Sequence, residues 1–91
     1  MTLIGSHRAQ GGTVRVEFDV SQTLRVTAVR LGGDFAARIS AAHRARLEKA
    51  LEGASLDREI LLTVAKRAFQ EAGVAAEGFS PEDLAAAFMA A

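Results

Sequence analysis

Ninety-one residues make one domain rather than two, with little volume to spare for both a core and an enclosed substrate pocket. Hydrophobic residues make up 49% and charged residues 24%, and there is no cysteine, which excludes disulfides, thiol chemistry and thiolate metal sites. Eleven basic side chains balance eleven acidic ones. They are unevenly placed. Residues 1–50 hold Arg8, Arg15, Arg25, Arg30, Arg38, Arg44, Arg46 and Lys49 against Glu17, Asp19, Asp34 and Glu48. Residues 51–91 reverse the balance.

A basic first half can meet an anionic partner surface, although solvated faces that alternate explain most of these charges equally well. Nucleic acid is not an expected partner, since no Tyr or Trp is present for stacking. No apolar run approaches the ~20 residues of a membrane span, and no signal peptide is recognisable. The expected compartment is the cytoplasm.

Val14, Val16, Phe18 and Val20 alternate with Arg15, Glu17 and Asp19, the period of a strand with one wet face. After a turn at Ser21-Gln22, a second strand is expected over 23–31. Leu24, Val26 and Ala28 keep one parity and Val29 and Leu31 the other. That change of phase predicts a bulge near Ala28 or burial of both faces. The two runs pair most simply as an antiparallel hairpin. Residues 1–5 can add a short edge strand, and 35–39 read as strand or irregular chain.

Helices are expected over the remainder. Ser40 caps one that runs to about Leu51, with His43, Leu47, Ala50 and Leu51 on one face and Gly53 as its stop. Asp57 caps the next, whose stripe is Ile60, Leu61, Val64, Ala65, Ala68, Phe69 and Ala72 and which ends at Gly73. Ser80 caps the last. Pro81 takes its first position, Glu82 and Asp83 its first turn, and Leu84, Ala85, Phe88 and Met89 its apolar face. Leu56 with Leu61, and Phe79 with Leu84, stand at hydrophobic-staple spacing. The expected class is α+β: an N-terminal antiparallel hairpin or three-stranded sheet covered by about three C-terminal helices.

No serine, histidine and carboxylate form a nucleophile motif, and no catalytic residue is assigned. His7 and His43 lack further ligands at metal-binding spacing, so no metal site is expected. Gly11-Gly12 is either a tight turn into the first strand or a place where backbone or phosphate approaches closely. It matches neither the dinucleotide nor the P-loop fingerprint. Gly32-Gly33-Asp34-Phe35 ends the second strand. Gly33 there allows a left-handed or bulged backbone, Asp34 projects from the turn or bonds local amides, and Phe35 returns to the core or meets a partner; composition leaves these readings open.

In order along the chain, these features resemble the accessory domain of lipoate–protein ligases. The likeness runs through His7 to Val16 with its glycine pair, Leu31-Gly32-Gly33-Asp34-Phe35, Leu47 to Leu51-Glu52-Gly53 with Leu56-Asp57, and Gly78 to Ala85. Gln10 and Thr13 stand where that family commonly has Pro and Lys, and Ala36 where it often has Phe. The resemblance implies a single accessory domain over 1–91, occurring as a separate small subunit. It also implies a catalytic partner subunit that joins lipoate to ATP and passes the lipoyl group to a lysine of an acceptor protein. ATP, Mg and lipoate are then expected on that partner and no cofactor on this chain. Gly11, Gly12, Gly32, Gly33, Asp34 and Phe35 are the expected partner contacts.

Two other classes compete. An iron–sulfur or sulfur-transfer scaffold of similar fold would need thiolates, which the chain lacks. A self-associating structural module unrelated to lipoylation remains the alternative.

Overall fold

The computed structural model describes residues 1–91. Three antiparallel strands, β1 (Thr2–Ala9), β2 (Gly12–Val20) and β3 (Val26–Gly32), form a sheet in the order β1-β2-β3. Four helices follow: α1 (Gly33–Arg38), α2 (Ala41–Leu51), α3 (Arg58–Ala72) and α4 (Pro81–Met89). The α+β class and the sheet-then-helices order are those of the sequence. The first strand is longer than the expected short edge, because Leu3, Gly5, His7 and Ala9 pair in register with Phe18, Val16, Val14 and Gly12. Residues 33–38 are helix, where strand or irregular chain was expected around 35–39. Six residues are too few for a helical period to show in the sequence.

The bulge near Ala28 is present. Glu17 pairs with Arg30 and Asp19 with Thr27, so Ala28 and Val29 together face Phe18. Ala28 takes the left-handed conformation, φ 50°. The extra residue lets Val26 before it, and Val29 and Leu31 after it, all enter the core. Leu24 does not join them; it sits in the turn before β3 with φ 58° and is exposed.

Helices cover one face of the sheet. Val14, Val16, Phe18, Val26, Val29 and Leu31 meet Leu47 and Leu51 of α2, Leu61, Ala65, Ala68 and Phe69 of α3, and Leu84, Ala87 and Phe88 of α4 in one cluster. The rings of Phe18 and Phe88 lie 4.9 Å apart and tie β2 to α4. At Gly5 any side chain would run into the backbone at Ala87 and Ala91, so the missing Cβ lets the end of α4 lie directly on β1. Three residues expected on the core-facing sides of the helices are exposed: Ala50 near the end of α2, and Ile60 and Met89 at the terminal turns of α3 and α4.

The caps fall where the sequence puts them. Ser40, Asp57 and Ser80 accept from the N–H groups of His43, Ile60 and Asp83, and Gly73 closes α3 at φ 68°. No helix is long and apolar enough to cross a membrane.

Candidate partner-binding site

The glycine pair, the strand-ending glycines and Asp34 come together at one end of the sheet. Ala9 and Gly12 pair across a two-residue turn, Gln10-Gly11. Gly11 donates its N–H to the carbonyl of Gly78 at 2.9 Å. A Cβ at Gly11 would stand 2.7 Å from the ring of Phe79, and one at Gly78 2.5 Å from Gly11 itself. The turn is thereby locked onto the segment that leads into α4.

Asp34 lies in the first turn of α1. Its Oδ2 accepts the N–H of Thr13 at 3.0 Å. Gly12, at φ 139°, leaves the room this carboxylate needs: a Cβ there would sit 2.5 Å from Oδ2. Gly33, at φ 75°, passes beneath Thr13, and its Cβ would come 2.6 Å from the Thr13 carbonyl. Gly11, Gly12, Gly33 and Asp34 therefore hold the hairpin, α1 and the approach to α4 to one another. The tight-turn reading describes Gly11-Gly12, whereas the amide that Asp34 accepts from belongs to Thr13 of the neighbouring strand, 21 residues away, and not to its own turn.

Gly32 differs. Its backbone is extended, φ −147°, and a Cβ would reach only ordinary contact with Arg15 at 3.8 Å. Nothing inside the molecule requires a glycine there, and its absent side chain leaves a shallow recess lined by Arg15, Glu17, Arg30 and Leu31 on the helix-free face. Phe35 points the other way. It is buried, with its ring 5.8 Å from that of Phe69 and 5.3 Å from that of Phe79. The structure thus gathers five of the six expected contacts at one end and places the ring of Phe35 in the core.

Beside them lies a group of which the sequence placed only Arg15, Glu17 and Asp19 on a wet face. Thr2, Ile4, Ser6 and Arg8 of β1, Thr13, Arg15, Glu17 and Asp19 of β2, and Thr27 and Arg30 of β3 share the face opposite the core. The molecule's one contact between a basic side chain and a carboxylate is His7 Nε2 with Asp83 Oδ1 at 3.0 Å. The guanidinium groups of Arg8, Arg15 and Arg30 therefore have no carboxylate partner. The excess of basic residues in the first half was the available signal, but without a known register it did not single out these three.

No cluster of three or more His, Asp or Glu side chains is arranged to hold a metal ion. No protein-family model matches the chain, and the curated proteins include no match. Among solved structures, the chain superposes on a chain from an archaeal lipoylation system of Thermoplasma acidophilum, described as a bipartite lipoate protein ligase and its E2 lipoyl domain. The TM-score is 0.76 with 26% identity, over 97% of this chain and 94% of that one. The resemblance to a small ligase accessory subunit, first read from short motifs, thus extends over the whole fold.

Proposed function

We propose that this chain is the non-catalytic accessory subunit of a two-chain lipoate–protein ligase. It acts with a catalytic subunit in the ATP-dependent activation of lipoate to lipoyl-adenylate, before transfer to an acceptor lysine. The observation that carries this reading is the likeness to a bipartite ligase along nearly the full length of both chains, joined to the matching order of sequence motifs. In this reading ATP, Mg and lipoate bind the catalytic subunit. The accessory chain stabilises that subunit's reactive conformation, so that its contribution is positioning rather than bond-making. Gly32 and the arginines beside it are the accessible part of the expected contact, while the remaining glycines and Asp34 shape the end that presents them.

The direct test mixes this chain with the catalytic subunit, lipoate, ATP and Mg and follows pyrophosphate. Release at least about tenfold above that from either chain alone is expected. An unstimulated catalytic subunit in the presence of folded accessory chain would sink the proposal and return the self-associating module to the front.

A further inference from the structure

The two edges of the sheet are treated differently. The β3 edge is closed. Val26 donates to Ala54, Gly53 to Val26 and Leu56 to Leu24, all backbone to backbone at 2.7–2.8 Å. The N–H of Leu31 goes to the carboxylate of Glu48 at 2.8 Å. The β1 edge has no such cover. None of the backbone bonds formed outside the helices and strands touches residues 1–9.

The direction of the free groups follows from the ladder. Thr13 gives its N–H to Asp34, on the side away from β1. Alternation along the pair then turns the N–H and C=O groups of Leu3, Gly5, His7 and Ala9 toward β2, and those of Thr2, Ile4, Ser6 and Arg8 outward. A regular strand of eight residues, with no proline and no bulge, is a template for another strand.

We infer that the β1 edge is where the catalytic subunit docks, by adding an extended segment to the sheet. This rests on the accessory-subunit reading. The chemistry of the segment follows from the side chains flanking the free groups. Ile4 is half exposed and calls for an apolar neighbour on the outer face. Toward the hairpin turn, Arg8 and Arg15 are unpaired and call for a carboxylate on that same face. The face's own carboxylates lie toward its other end: Asp19 accepts from the hydroxyl of Thr2, and Glu17 stands between Ile4 and Arg30. The occupant is therefore a strand of the partner with an apolar residue and an acidic residue on one face.

Ser6→Pro tests this with little expected harm to the fold. The lost N–H points outward, and proline is tolerated on an edge strand when the ladder does not use its N–H. Affinity for the catalytic subunit is measured by calorimetry, with circular dichroism and thermal unfolding to confirm the fold. Ser6→Pro should weaken binding by about tenfold or more, whereas Ser6→Ala should leave it unchanged. Arg8→Glu should weaken it by a similar factor and decides the matter if the proline variant does not fold. Wild-type affinity in folded Ser6→Pro, or in Arg8→Glu where the proline variant does not fold, overturns the inference and leaves the accessory reading standing. A wild-type chain that does not bind the catalytic subunit overturns the accessory reading itself. A homodimer of the free chain that Ser6→Pro dissolves, with ligase binding unaffected, assigns the edge to a second copy and also overturns the inference.

Discussion

Adjacent glycines in this chain have opposite reasons for being glycine. Gly33 combines a positive φ of 75° with a carbonyl 2.6 Å from where its Cβ would be. Gly32 is extended and open on its outer side. Alanine at 33 should therefore destabilise the fold by roughly 2 kcal/mol or more, through backbone strain and displacement of Thr13. Alanine at 32 should change stability by less than about 0.5 kcal/mol. Urea unfolding of the two variants checks both, and equal losses would mean that Gly32 is also under internal constraint. The sequence pointed to a left-handed backbone at Gly33, which its φ of 75° bears out, but not to the contacts that hold Gly33 and Asp34 in place. Those contacts join residues about twenty apart, such as Thr13 with Asp34, which local spacing does not encode. Of the two places open to Phe35, the core and a partner surface, its ring takes the core. Beside a glycine pair it resembles a surface feature, and only the packing of Phe69 and Phe79 around it reveals a core residue.

Elements were legible where their ends carry chemistry. The start of α4 is the clearest, and the structure adds a contact beyond it. Oδ2 of Asp83 accepts from the N–H and the hydroxyl of Ser80, both at 2.9 Å. Oδ1 faces His7 of β1 at 3.0 Å. The capping box thus also joins the last helix to the first strand. Asp83→Ala should cost about 1–2 kcal/mol, the range of a lost cap, with only a small part from the partly exposed His7 contact. A double-mutant cycle with His7→Ala separates the two contributions. A loss below about 0.3 kcal/mol for Asp83→Ala would show that Pro81 and the Phe79–Leu84 staple suffice to start the helix. The bulge was legible too, because a phase change in β3 alters the buried set at Val26, Val29 and Leu31. Helix α1 and the full length of β1 were not. The first is too short for periodicity, and the second alternates weakly, with Gly5 and Ala9 as its buried residues.

At the scale of the molecule, the helices occupy one face of the sheet and the α2–α3 connection occupies one edge, leaving an arginine-bearing face and the β1 edge to solvent. Composition could hint at the first of these, since the basic excess lies in the first half, but an open edge is a property of strand order and has no sequence signature. It does have a signature in hydrogen exchange. In the free chain the amides of Leu3, Gly5 and His7, which bond to β2, should exchange slowly, and those of Ile4 and Ser6, which point outward, should exchange at least about a hundredfold faster. Leu31, the outward amide of the opposite edge, should be protected despite its position, because its N–H donates a hydrogen bond to the Glu48 carboxylate. Equal protection of odd and even positions along β1 in a monomer would mean that the edge is covered in solution and unavailable to any partner strand. The alternating pattern, lost selectively at Ile4 and Ser6 when the catalytic subunit is added, would locate the added strand residue by residue. It would also separate docking that includes the edge from docking on the arginine face alone, which would leave the exchange of these two amides as it was.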